Sequence, residues 1–362
     1  MGNDTDRDIF KDSYHRYTGR KVLFMVVLIL LIVILSGCSC MVSGRDITFA
    51  EGLRSIWDHI AGTELEYNST EWWNDKLIWS NTMPRVVMAL LAGSGLAVSG
   101  VIMQAILSNP LAEPYTMGVS SGVVLGANVA IILGFSIAGG IHTWGLVLNA
   151  FLFGLIPVGI ILFLVRVLRS MSPVTMILSG VAISYFLSGL NTLMMVSTSS
   201  DKLSEAYRWQ VGSLESSMWD EVQVAAVIVL SLTFVSLFLA RYLNALSQGS
   251  NLAKSLGMDV ERFRLVCMVM VTVMSAGILC FTGIIGFIGL LAPHIVRLII
   301  GADNRYVIPA SCLFGAVFLL FADTVTRLLT GVDIPVGAVM SFIGAPLFLC
   351  IVLFSKRKGV LY

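Results

Sequence analysis

The chain has 362 residues, and 57% of them are hydrophobic while only 12% are charged. Because soluble domains carry about 25% charged residues, this composition and a mean hydropathy of +0.88 exclude an ordinary soluble protein. The formal net charge of +1 provides no basic surface of the kind that binds nucleic acid. We therefore predict an all-α polytopic membrane protein built as one transmembrane domain.

The predicted elements follow from apolar runs long enough to cross a bilayer. The transmembrane domain spans 21–355, between a polar tail of 1–20 and a basic tail of 356–362. We expect ten helices, at about 22–42, 84–107, 115–135, 144–165, 174–196, 222–240, two within 265–300, 307–327 and 334–354. As a single helix, the run 265–300 would measure roughly 54 Å, against a hydrocarbon core of about 30 Å. A break is therefore predicted at Thr282-Gly283, together with Gly286 and Gly289.

Lys and Arg residues set the expected orientation. With ten spans both termini lie on one side, and that side carries most of the 23 Lys and Arg residues. Such an excess is typical of the cytoplasmic side. All seven Trp residues fall on the other side, at or between helix ends, where an aromatic belt is expected. We therefore predict a cell-membrane protein with cytoplasmic termini, an external loop at 44–81 and a cytoplasmic loop at 241–264.

Small residues recur at every fourth position of the third predicted span. Gly118, Gly122 and Gly126 are continued by Ala130 and Gly134, a spacing that places all five on one face of a helix. In water each glycine would weaken a helix by up to ~1 kcal/mol relative to Ala. In a bilayer the stripe lets a neighbouring backbone approach closely. We therefore predict that the three glycines mediate helix packing.

Two further spans carry small or hydroxylated residues on one face. Gly180, Ser184 and Ser188 share a face of the fifth span, and Gly337 and Ser341 share a face of the tenth. One interpretation is close helix packing. The other is the wall of a wide, chemically mild passage, and the sequence leaves both open.

Patterns typical of catalysis are missing or stand in the wrong context. The G-x-S-x-G pattern at 118–122 needs a strand–turn–helix setting with His and acid partners, but here it opens a membrane helix. The sequence has no G-x-x-x-x-G-K-[ST] motif, so it holds no P-loop for ATP. The four His and six Cys residues have no metal-ligand spacing. We expect no enzyme activity, cofactor or metal in this chain.

Ionisable residues are rare in the predicted spans. Asp323 and Arg327 stand four residues apart in the ninth span, where pairing offsets part of their insertion cost. They are interpreted either as a structural pair or as an arginine presented to a soluble partner, and the two roles are compatible. A carrier driven by protons or sodium normally buries ionisable groups at mid-membrane. Their scarcity predicts that another subunit supplies the energy.

The polar stretch 241–264 has the features of a cytoplasmic docking loop. Residues 244–257 are predicted to form two short helices, separated near Gly249 and ended by Gly257.

The first span is ambiguous, because Leu35-Ser36-Gly37-Cys38 matches a lipoprotein cleavage box. Nine more spans follow, so we interpret that match as coincidental.

Several motifs, in order along 20–355, resemble the FecCD-like permease subunits of ABC importers for iron–siderophores, haem and cobalamin. They are MPR at 83–85, NPLAEP at 109–114, GVSSG at 118–122, WQVGSL at 209–214, GFIGLLAPHIVR at 286–297, ADTVTR at 322–327, PVG at 335–337 and GAP at 344–346. The resemblance implies the type II importer fold, with ten spans per subunit and a dimer of permeases, here a homodimer, enclosing the pathway. It also implies two cytoplasmic ATPase subunits, which use ATP and Mg²⁺, and an extracytoplasmic substrate-binding protein.

The resemblance also assigns roles to particular residues. The loop between spans six and seven would couple to the ATPase through Gly249, Ala253, Lys254, Ser255, Leu256 and Gly257. Arg85 and Arg327 match outward arginines that receive carboxylates of the binding protein. The chain departs from the family pattern where Ser250 and Asn251 replace acidic residues, and where Thr82 replaces a second arginine.

The leading hypothesis is therefore a permease subunit that moves a metal chelate inward. The alternatives are an ion-coupled secondary transporter and a membrane-embedded enzyme. The sequence leaves open which chelate is carried, whether the dimer pairs identical chains, and what the external loop does.

Overall fold

The computed structural model describes residues 2–42, 47–138, 143–168, 172–330 and 334–357, and the predicted all-α fold is confirmed there. The first half contains α1 (Gly2–Cys40), α2 (Phe49–Ala61), α3 (Thr70–Leu77), α4 (Met83–Ile106), α5 (Val119–Leu133), α6 (Thr143–Leu168) and α7 (Pro173–Val196). The second half contains α8 (Ser200–Gln210), α9 (Trp219–Ser247), α10 (Ser250–Ser255), α11 (Val260–Thr282), α12 (Ile288–Ile300), α13 (Asn304–Thr330) and α14 (Val336–Arg357).

The apolar helices correspond to the ten predicted spans. Within the described ranges seven helices are long and apolar enough to cross a membrane, and α5, α12 and α14 are shorter apolar helices. The long run 265–300 breaks where predicted, because α11 ends at Thr282 and Gly283 takes a left-handed φ of 67°. Glycine adopts this conformation without the steric cost that a Cβ would add.

Helix α4 forms the centre of the bundle. It is buried along nearly its whole length and packs against α9, α11, α12 and α13. Its approach to α13 requires glycine on both sides, because a Cβ at Gly93 would lie 2.6 Å from the carbonyl carbon of Gly315. Helices α1, α6, α7 and α9 instead expose apolar faces in the single chain. These faces suit contact with lipid or with another subunit.

The polar connection 44–81 has its own helical structure in its described part. Helix α2 begins with a capping box of Thr48 and Glu51 and ends at Gly62, which has a φ of 68°. Helix α3 passes through a π-helix, Ile78–Thr82, into α4, and the helical run is 37 residues long. The indole Nε1 of Trp219 donates to the carbonyl of Trp79 at 2.8 Å and fastens this run to α9.

Two details differ from expectation. The predicted stripe of five small residues is wrong at its ends, because Gly118 and Gly134 are the left-handed caps of α5 rather than members of its face. The first of the two short helices predicted at 244–257 is the last turn of α9, which runs unbroken to Ser247. No Gly or Pro interrupts 219–248, so nothing in that segment ends the helix earlier.

Candidate translocation pathway and coupling site

Gly122 and Gly126 lie where α5 crosses α6. A Cβ at Gly122 would stand 2.5 Å from the carbonyl oxygen of Phe153, and one at Gly126 would stand 2.7 Å from the carbonyl carbon of Asn149. Real Cβ atoms do not approach a backbone so closely, so α5 and α6 are in contact at a distance that only glycine permits.

Gly118 has a different position, at the end of the corner that joins α4 to α5. The corner continues into a 3₁₀ helix, Pro114–Met117, and Gly118 then adopts a φ of 84°. A Cβ there would be 3.1 Å from Oγ of Ser184 on α7. Gly118 therefore combines a left-handed turn with a close contact to α7.

The α7 residues predicted to line a passage lie against this corner. A Cβ at Gly180 would be 2.5 Å from the carbonyl oxygen of Thr116 and 2.8 Å from Cα of Met117. Ser184 donates to the carbonyl of Gly180 at 2.8 Å, and Ser188 is exposed, with its Oγ 3.2 Å from Oγ of Ser121. Along α7 the three residues thus form a strip that runs from a glycine packed against the 3₁₀ helix to an exposed hydroxyl.

Gly337 and Ser341 on α14 belong to a second backbone junction. The amide of Gly337 donates to the carbonyl of Gly212 at 2.9 Å, and the amide of Ser213 donates to the carbonyl of Thr282 at 2.8 Å. Ser341 is exposed and donates back to the carbonyl of Gly337 at 2.9 Å. This junction ties the segment after α8 to the α11–α12 break and to the start of α14.

The structure does not pack the two predicted passage strips directly against each other. Helix α7 packs on α5, α6 and the 3₁₀ helix, whereas α14 packs on α12 and α13. An open cavity of about 450 Å³ borders the junction. Its lining includes Glu205, Arg208, Trp209, Gly283 and Pro335.

The two arginines predicted to dock a binding protein are buried. Arg85 and Arg327 are each 7% exposed, and both contact Asp323, which is 2% exposed. Nη2 of Arg85 lies 2.9 Å from Oδ1 of Asp323, and Nη2 of Arg327 lies 3.1 Å from Oδ2. Arg327 also donates to Oγ of Ser39 on α1. In this conformation neither guanidinium is presented at the surface, so the docking role stays a prediction.

Sequence spacing identified the Asp323–Arg327 pair but not the third member of the network. Arg85 is 238 positions away from Asp323, and it joins because α4 packs along α13. The arrangement satisfies a buried carboxylate with charges from two helices.

The residues predicted to couple to an ATPase lie on and around α10. Gly249 and Gly257 flank this helix with φ values of 120° and 85°. Ala253 is fully buried, while Lys254 and Ser255 are exposed and the Leu256 side chain is 69% exposed. The segment therefore presents a short, accessible helix whose one buried residue is Ala253 and which is bounded by two glycines.

Sequence analysis missed Arg264, which contacts this segment from the first turns of α11. The side chain is 5% exposed and reaches both Ser250 on α10 and the end of α4. An arginine near the start of an apolar span could have been noticed, but its two partners could not be read from spacing.

A polar contact outside the spans joins α9 to the start of α13. Asn244 donates to Asp303 at 2.7 Å, and Arg305 donates to the same carboxylate at 2.6 Å. Burial raises the pKa of Asp303, but the hydrogen bonds from Arg305 and Asn244 outweigh it and lower the pKa to about 2. Among the described residues there is no cluster of His, Cys, Asp or Glu that could hold a metal ion.

Closely packed apolar helices, two strips of small or hydroxylated residues and an accessible short helix between glycines are features that fit a membrane transport permease. Residues 28–354 match the model of the FecCD transport family, and the chain belongs to this family. The predicted family is thus confirmed, and it comprises transport proteins rather than enzymes.

The chain is 36% identical over 355 residues to an ABC transporter permease protein of Methanocaldococcus jannaschii, covering 96% of this chain and 98% of the relative. It is 32% identical over 338 residues to the hemin transport system permease protein HmuU of Yersinia pestis, covering 93% and 97%. A solved structure of an inward-facing metal-chelate type ABC transporter superposes with a TM-score of 0.78 at 30% identity, covering 91% of this chain and 98% of the other.

Proposed function

We propose that this chain is the permease subunit of an ATP-binding cassette importer that moves a metal chelate into the cell. The chelate class is an iron–siderophore, haem or cobalamin, delivered by an extracytoplasmic binding protein. The observation that carries the proposal is family membership across nearly the whole chain, joined to similarity with a hemin permease and a metal-chelate type transporter.

The passage is proposed to lie between two identical subunits. In the single chain, α7 and α14 expose large apolar side chains. They include Leu178, Tyr185 and Phe186 on α7, and Phe342 and Leu349 on α14. Ser188 and Ser341 are exposed beside these faces. Pairing of two copies would cover the apolar side chains and leave the hydroxyls along a mild passage.

Energy is proposed to come from two ATPase subunits, which hold ATP and Mg²⁺ and dock on α10 at the cytoplasmic face. The accessible side chains of Lys254, Ser255 and Leu256 offer the contact surface. Both termini lie in the cytoplasm in this arrangement, and α2 and α3 face outward. The binding protein docks on that outer face, using Arg85 and Arg327 if their contacts with Asp323 open.

Uptake of a labelled chelate into vesicles tests the proposal. The vesicles contain this chain, its partner ATPase and its binding protein, and uptake is expected to require ATP. An ATPase variant whose P-loop lysine is replaced is expected to abolish uptake. Uptake that persists with this variant would refute the proposal. Uptake by the chain alone, driven by collapse of a proton or sodium gradient, would favour a secondary transporter.

A further inference from the structure

One buried guanidinium joins three helices at the face that carries α10. Nε of Arg264 donates to the carbonyl oxygen of Ile106, the last residue of α4, at 2.9 Å. Nη2 of the same side chain donates to Oγ of Ser250, the first residue of α10, at 2.8 Å. We propose that Arg264 is a positioning residue that transmits movement of α10 to the end of α4, an inference that rests on the proposed function of α10.

Besides this bridge, α10 is held by its buried Ala253 and by an exposed pair between Lys254 and Glu261 of α11, whose charged atoms are 3.9 Å apart. The helix has six residues, far fewer than an isolated helix needs for stability. Gly249 and Gly257 border it with left-handed backbone conformations. Ala253 is its buried residue, whereas 48% of the Leu252 side chain is exposed. Arg264 is the buried polar side chain that ties this short segment to the end of α4.

The end of α4 continues directly into the corner that supports α7. The amide of Asn109 donates to the carbonyl of Gln104 at 3.1 Å, so the corner starts as an extension of the last turn. The corner then forms the 3₁₀ helix, whose Met117 lies beneath Gly180. A displacement of Ile106 is therefore passed through contiguous backbone to one of the proposed passage strips.

Arginine suits this position because its planar fork presents donors in two directions from a buried site. A lysine ammonium on a flexible stem would hold one partner well rather than two. Arg262 offers a matched control two residues away. Its side chain is 87% exposed and pairs with Asp259 on the same turn.

Hydrogen exchange of the purified chain in detergent tests the bridge without any partner. Hydrogen bonds to charged groups contribute enough that Arg264→Gln is expected to speed amide exchange roughly tenfold in both α10 and the last turn of α4. Ser250→Ala removes only one arm, so it should affect α10 alone. Arg262→Gln should change neither segment. Thermal unfolding is used to check that both variants are folded. Equal amide exchange rates in Arg264→Gln and Arg262→Gln would then overturn the inference.

Transport then tests the coupling. In vesicles with the partner ATPase and binding protein, Arg264→Gln is expected to lower chelate uptake per ATP hydrolysed by about tenfold while the ATPase stays bound. Arg264→Lys should restore little, and Arg262→Gln should match the wild type. An unchanged ratio in Arg264→Gln would overturn the inference. If the wild type itself shows no ATP-driven uptake, the proposed function fails, and hydrogen exchange still decides whether the bridge exists.

Discussion

The contacts of Asp323 predict a large loss of stability when its charge is removed. The carboxylate faces guanidinium groups of Arg85 and Arg327 at 2.9 and 3.1 Å. At an effective dielectric constant of ~20, each contact contributes a gross attraction of about 5 kcal/mol, most of which offsets desolvation. Asp323→Asn keeps the shape but leaves two buried cations that repel each other. We expect it to lower the free energy of unfolding by about 3–5 kcal/mol.

Unfolding in mixed micelles with increasing dodecyl sulfate, followed by tryptophan fluorescence, measures this loss. Asp201→Asn is the matched control, because Asp201 is exposed on α8. The double variant Asp323→Asn, Arg85→Gln should regain part of the loss, since it removes one of the two cations. An Asp323→Asn variant as stable as the control would refute the idea that this network holds α4 to α13.

Three further predictions follow from packing and from one carboxylate. Gly126→Ala should lower the free energy of unfolding by about 1–3 kcal/mol in the same assay. Gly159→Ala is the control and should leave it unchanged, because nothing lies within 4 Å of a Cβ placed there. Equal effects of the two substitutions would contradict the close α5–α6 contact. Gly283→Ala should lower the melting temperature and the yield of folded protein. The φ of 67° at this position strains an alanine, and its Cβ would lie 3.0 Å from Cα of Gly212. A wild-type melting temperature would argue against the backbone junction between Gly283 and the segment after α8. The depressed pKa of Asp303, about 2, means that its stabilising effect is present above the unfolded value and is lost as pH falls toward 2. Asp303→Asn should therefore be less stable than the wild type at pH 6, and the two melting temperatures should converge near pH 2; a pH-independent difference would contradict this.

Composition and periodicity predicted the main architecture because a bilayer imposes simple rules. Apolar run length gave the spans, and bilayer thickness required the break in 265–300. The break coincides with Gly283 because glycine is the residue that most easily leaves a helix with a positive φ. These features depend on local sequence and on the solvent, so they could be derived without tertiary structure.

Features that depend on distant contacts could not be derived in this way. The spacing of Gly118 and Gly122 is helical, yet Gly118 is a cap, because the 3₁₀ helix before it must turn beneath Gly180. Nothing in the spacing of Arg85 indicates that the packing of α4 on α13 brings it to Asp323. Local pattern identifies such residues as unusual, whereas their partners follow only from the fold.

The continuous helical run from Thr70 to Ile106 is about 55 Å long, nearly twice the thickness of a hydrocarbon core. The run therefore extends beyond the hydrocarbon core, and its first part, α3, forms a helical extension of the buried α4. The π-helix Ile78–Thr82 lies at the junction between this extension and α4, where one turn contains an additional residue. Because the π-helix accommodates one residue more than an α-helical turn does, deleting one residue there would restore ordinary helical pitch and leave the outer end facing nearly the same direction. The π-helix can therefore gain or lose one residue while the helices on either side of it keep their orientation.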